Sequence, residues 1–171
     1  MEPQELTESV EKAHERNERK IGVTMAIVAV LLALATMLGH RTHTEEVLIQ
    51  TRANDQWAYY QAKTIRAHMY EADAEMAALL PKGEQLAESF KQRSEDQKKS
   101  AEEVKNQAQD KERETDATSM KAGRYDTAEI FLEIAIVLCS ISLLSGSRLF
   151  WLVSFASSAA GVALMVRAFL T

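Results

Sequence analysis

No charged residue interrupts the chain between Ile21 and Gly39, a run reading IGVTMAIVAVLLALATMLG. Wound as a helix, a run of that length spans a hydrocarbon core of roughly 30 Å, whereas a helix on the surface of a soluble protein keeps a polar stripe. A second apolar region, from Thr127 to Leu170, holds two further runs, Ile130–Leu144 and Leu149–Leu170, separated only by Ser-Gly-Ser-Arg. So short a connection forces neighbouring antiparallel helices. The average composition, 46% hydrophobic and 26% charged, would suit a soluble domain. Segregation of the two classes along the chain is what points instead to an integral membrane protein.

The charged leader LTESVEKAHERNERK is too acidic and too long for a signal-peptide n-region, so the first apolar run is expected to remain as an anchor. Small residues recur four apart in all three runs: Ala29 with Ala33, Ser142 with Gly146, Ala156 with Ala160, and Ser157 with Gly161. That spacing lets helices approach closely in lipid. Phe150 and Trp151 open the third run, where aromatic rings favour the bilayer interface. Lys12, Arg16, Arg19 and Lys20 precede the first run, and Arg148 falls in the short loop on that same side. Although Arg41, Lys121 and Arg124 flank the other side, the short-flank count favours a cytoplasmic N-terminus and places the polar middle of the chain across the membrane.

Pro81-Lys82-Gly83 is the only cluster of helix breakers between Gly39 and Gly123. Two arms of similar length should therefore fold back on each other, each about 40 residues or roughly 60 Å long. The expected class is all-α, with three transmembrane helices and a long antiparallel hairpin, a coiled-coil-like stalk, between the first and second. The expected boundaries are a charged N-terminal helical segment at 1–20, transmembrane helices at 21–39, 127–145 and 148–170, and a hairpin at 40–126 turning at 81–83.

The first arm shows an apolar stripe through Trp57, Tyr60, Ile65, Met69, Ala72, Met76 and Leu79. The second shows a weak heptad seam through Leu86, Phe90, Ser94, Gln97, Ala101, Val104, Ala108, Lys111, Thr115, Thr118, Ala122 and Tyr125. Folding about Lys82 sets Trp57 level with Gln107 and Tyr60 level with Val104, large rings against the small residues Ala101 and Ala108. Trp57, Tyr60, Gln61 and Val104 are thus expected to pack the stalk. So few large residues on the second arm bury little area at about 25 cal/mol per Å², which argues that further copies pack against the arms. Alanines such as Ala58, Ala62, Ala67, Ala74 and Ala78 offer a second low-polarity face for a homo-oligomer. The mixed-sign run KQRSEDQKKSAEEVKNQAQDKERETD reads as a solvated helix face, or as docking surface for another, unidentified protein.

Glu129 and Glu133 lie four apart on the helix entering the second apolar run, where an ionisable side chain is costly unless paired or wet. They are either carboxylates at headgroup level or a polar site within the membrane, which in an oligomer would line an ion path. His40 and His43 are the only metal-ligand candidates near them, and the fold-back register leaves His40 and Glu129 about 7 Å apart in rise, a poor fit to one ion. His14 and His68 are isolated on charged helices, and the single cysteine, Cys139, sits within an apolar run. No Ser-His-Asp order, glycine-rich phosphate loop or zinc-helix motif is present, so neither enzyme activity nor a cofactor is expected. A net charge of −5 with the two signs interspersed gives no reason to expect nucleic acid as a partner.

The segment Asn54-Asp55-Gln56-Trp57-Ala58-Tyr59-Tyr60-Gln61-Ala62-Lys63 after one apolar run, and Glu133-Ile134-Ala135-Ile136-Val137-Leu138 within another, resemble a bacterial membrane-protein family known as domain of unknown function 4337. The likeness runs nearly the whole chain in order: anchor, Trp-x-x-Tyr-Gln-Ala-Lys arm, charged arm and paired C-terminal spans. It implies a membrane-embedded helical protein and supplies no activity or catalytic residue. The cytoplasmic N-terminus expected from the flanking charges would, in a Gram-negative bacterium, set the chain in the inner membrane with the stalk in the periplasm. On the residues alone, the function is a membrane-anchored homo-oligomeric scaffold or interaction protein, or alternatively an ion-conducting component using Glu133.

Overall fold

The structure, a computed structural model, describes the backbone of residues 3–170 and the side chains of residues 17–170, so the side chains of Lys12, His14 and Arg16 lie outside the described residues. Every element among the described residues is helical: α1 (Pro3–Ala78), α2 (Glu84–Ser145) and α3 (Arg148–Leu170). Each contains a stretch long and apolar enough to cross a membrane. The charged leader and the first apolar run belong to one unbroken helix with the first polar arm, because nothing between Pro3 and Ala78 breaks it except the helix-tolerated Gly22 and Gly39. The chain divides into two compact units, residues 1–43 with 119–171, and Thr44–Thr118.

In the first unit the core is small. Val28, Ala35, Leu132 and Ala135 are buried together, with Leu31, Leu32, Ile136, Val162 and Met165 packed around them. The buried face of α3 is Ser154, Ser158, Gly161 and Ala168. A Cβ on Gly161 would stand 2.9 Å from Leu132 Cγ and 3.0 Å from the Ala128 carbonyl oxygen, so α2 and α3 touch at a point where only glycine fits. Next to it the Ser157 hydroxyl donates to the Phe131 carbonyl at 2.6 Å, and the Cys139 thiol to Ser154 at 3.2 Å. Of the small-residue pairs noted in the sequence, Ser142 and Gly161 are buried, whereas Ala29, Ala33 and Ala156 are exposed. Large side chains such as Ile27, Val30, Met37, Ile134, Val137 and Phe169 lie outside. The buried face of α3 is thus made of small residues, while many of the large apolar side chains of this unit face outward.

In the second unit, α1 and α2 run along each other in opposite chain directions: Ser94 donates to the Ala67 carbonyl at 3.0 Å, while Trp57 Nε1, earlier on α1, donates to Glu112, later on α2, at 2.9 Å. Burial on α2 recurs every seven residues at Ala87, Ser94, Ala101, Ala108 and Thr115, joined by Val104. On α1 the buried set is Ile49, Ala53, Lys63, Ala67, Ala74 and Ala77. The stripe expected on α1 is therefore corrected. Ile65, Met69, Ala72, Met76 and Leu79 are exposed, as is Leu86 on α2; of the alanines expected on a second face Ala67 and Ala74 are buried in the contact, together with Ala53 and Ala77, while Ala58 and Ala78 are exposed. Both faces carry apolar residues at helical period; the one with small side chains admits the closer helix approach, so it wins the interior.

The turn combines two backbone demands. Lys82 takes a left-handed conformation (φ 66°), and a Cβ on Gly83 would fall 1.9 Å from the Ala77 carbonyl oxygen. Gly83 then starts α2, its carbonyl accepting the Ala87 N–H at 2.9 Å, with Glu84 in the first turn facing the positive end of the helix dipole.

Candidate functional site

In the first unit, a line of polar groups follows the contact between α1 and α2. His43 Nε2 lies 3.1 Å from both carboxylate oxygens of Asp126. About a turn further along α2, Glu129 accepts a 2.7 Å hydrogen bond from the Thr36 hydroxyl. Beside these pairs Tyr125 is buried, its Cβ 3.4 Å from where a Cβ on Gly39 would stand, an ordinary packing distance. A turn beyond Glu129, Glu133 is exposed on the apolar part of α2 and has no hydrogen bond or ion pair to a described residue.

Sequence spacing singled out Glu129, Glu133, His40 and His43. The structure gives Glu129 to Thr36 and His43 to Asp126, while Glu133 and His40 are exposed on α2 and α1. Asp126 and Thr36 went unnoticed in the sequence. Asp126 precedes Glu129 by three residues on the same helix face, a spacing that marks a common stripe once Glu129 is suspected. Fold-back about Lys82 set Glu129 near Ala35, next to its true partner, but set no acidic residue opposite His43. Among the described residues no three His, Cys, Asp or Glu side chains converge as a metal site would require. What this line of groups offers chemically is hydrogen bonding and proton exchange: an imidazole facing one carboxylate, a hydroxyl donating to a second, and a third carboxylate at the apolar surface.

The residues expected to pack the second unit divide. Val104 is buried. Trp57 and Tyr60 are half-buried and meet edge to face, ring centroids 5.6 Å apart, with Trp57 held by Glu112. Gln61 is exposed, outside the buried seam, because it falls a third of a turn past Tyr60. Lys63 buries its stem in the seam and carries its ammonium 4.8 Å over the Tyr59 ring.

An ion pair between the helices joins Lys98 to Glu71, which also contacts His68 at 3.0 Å, while Lys98 also meets Glu95 at 3.1 Å. Hydrogen bonds from Lys98 and then His68 hold the Glu71 carboxyl below its ordinary value, and bonds to Glu71 and then Glu95 hold Lys98 above its own. Glu102 raises Lys105 in the same way. These pairs face solvent, so each contributes little to stability.

Both units fall within one family. Residues 17–171 match the family described as Domain of unknown function (DUF4337). The chain belongs to it. No curated protein and no solved structure matches this DUF4337 chain. The match covers the polar line along α1 and α2, the seam of the second unit and all three apolar stretches.

Proposed function

We propose that this DUF4337 chain is a membrane-anchored homo-oligomeric scaffold: its three apolar helices lie in a bilayer and its coiled-coil hairpin is the surface through which it contacts other proteins, further copies included. The observation that carries the reading is the placement of large apolar side chains on the outside of both units, at Ile27, Val30, Ile134 and Val137 in one and at Ile65, Met69 and Met76 in the other. The first set suits lipid; the second, on a helix flanked by charged residues, suits a protein partner. The bacterial inner membrane, with the N-terminus in the cytoplasm and the hairpin in the periplasm, fits the distribution of flanking basic residues. The scaffold is not an enzyme and takes neither cofactor nor nucleic acid. Size-exclusion chromatography with light scattering in detergent should give a mass of at least two chains. A lone, stable monomer overturns the proposal.

A second reading rests on Glu133, an exposed carboxyl on the apolar part of α2. In hydrocarbon such a group is tolerated when several copies turn it toward a shared polar axis, which would make the chain a component of an ion-conducting bundle. Flux through proteoliposomes, abolished by Glu133→Gln, supports this reading. Absence of flux in the unsubstituted protein removes it.

A further inference from the structure

The outward face of α1 in the second unit carries a seam that no described residue of that unit covers. Ala62, Ile65, Met69, Ala72 and Met76 on α1, with Leu79 in the turn just past its end, follow one another at alternating steps of three and four, the a/d spacing of a coiled coil. The large members are open: Ile65 is 59% exposed, Met69 60%, Met76 68% and Leu79 86%. A solvated helix face has no reason to keep this period, and its flanks have a polarity of their own. Arg66 and His68 lie beside the first half of the seam and Asp73 and Glu75 beside the second.

We propose that this seam docks onto the same seam of a second copy, in antiparallel two-fold register. Rotating the segment onto itself makes layers of Ala62 with Leu79, Ile65 with Met76 and Met69 with Ala72, each then repeated by symmetry. Each alanine meets a large residue, and Ile65 meets the unbranched, adaptable Met76. The same register brings Arg66 to Asp73 and His68 to Glu75, twice each, along the two edges where coiled coils place their selecting charges. Parallel pairing keeps only one such match, His68 beside Asp73. It stacks Ala62 on Ala62 and Ala72 on Ala72, and sets Arg66 beside Gln61 and Glu75 beside Leu80. A two-fold contact is self-complementary by construction, and a segment basic at one end and acidic at the other meets that condition only head to tail.

This inference rests on the homo-oligomer reading and names the surface and direction of contact. The test uses the full chain with Cys139→Ser, one copy per lipid nanodisc. Discs carrying Ile65→Cys are mixed with discs carrying Met76→Cys and oxidised. The mixture should give at least tenfold more disulfide-linked pairs than Ile65→Cys discs alone. Arg66→Asp should lower that yield severalfold, and adding Asp73→Arg should restore it. Linkage no greater in the mixture, linkage favouring identical positions, or indifference to Arg66→Asp overturns the proposal. Light scattering separates the two readings. A detergent oligomer that survives Ile65→Glu with Met69→Glu and Met76→Glu leaves the scaffold standing and removes this seam, whereas a monomeric unsubstituted protein removes both.

Discussion

Gln97 sits on the seam of the second unit with its side-chain carbonyl oxygen buried and unpartnered, as does Gln56 on the facing helix. A buried acceptor without a donor costs about 1–3 kcal/mol, so Gln97→Met, which keeps the length and removes the amide, is expected to raise stability by about that amount in urea unfolding of the detergent-solubilised chain. The Glu71–Lys98 pair supplies a prediction in pH. Glu71 is held below 4.5, so its contribution is complete above that value and fades as the pH falls through its lowered folded value. Lys98 is held above 10.5, so its contribution is present below that value and fades as the pH rises through its raised one. The bridge therefore acts across neutral pH and weakens at both extremes. Carbon-detected NMR titration of the Glu71 carboxyl should show its midpoint rising toward the ordinary value in Lys98→Met, incompletely, since His68 remains.

At the scale of elements, two contacts are set by the absence of a side chain. The turn from α1 to α2 holds Gly83 against the Ala77 carbonyl with no room for a Cβ. Gly83→Ala must displace backbone, and a loss of about 1–3 kcal/mol is expected from denaturant unfolding. The contact of α3 with α2 at Gly161 leaves a Cβ 2.9 Å from the end of the Leu132 side chain, which can swing, and 3.0 Å from the Ala128 carbonyl, which cannot. Gly161→Val should force α3 away from α2 and expose the thiol of Cys139, which meets Ser154 about two turns along the same helix contact and is buried in the native chain. Thiol labelling in mild detergent checks this, with at least tenfold faster modification of the variant expected.

For the whole molecule, the expectation concerns solvent. The three apolar stretches leave most of their large side chains outside, a surface far beyond the few hundred Å² that a water-soluble monomer exposes as one patch. The protein should therefore stay in the membrane pellet after alkaline carbonate washing and enter solution only with detergent. Recovery in the soluble fraction without amphiphile would remove the bilayer reading and, with it, both functional readings. The second unit carries charge pairs at steps of three along α2, Lys98–Glu95, Lys105–Glu102, Arg113–Asp110 and Lys111–Glu114, which keep that helix wetted.

The amino-acid order alone determined the helical class, the three apolar stretches and the place of the turn. Each follows from a one-dimensional signal: uncharged length, the lack of breakers, and Pro81 with Gly83 together. The seam of α2 was legible for the same reason, since it is the only apolar stripe on that arm. Tertiary structure decided the facing side of α1, because that arm carries two stripes of the same period and their order of merit depends on how closely the helices approach. Side-chain size weighted Ile65, Met69 and Met76 toward the interior; close packing gave it to Ala53, Ala67 and Ala74. The partners of His43 and Glu129 were likewise fixed in three dimensions. Counting from the turn locates a residue along the opposite helix to within a turn, and a hydrogen bond requires the right side chain at the right rotation as well.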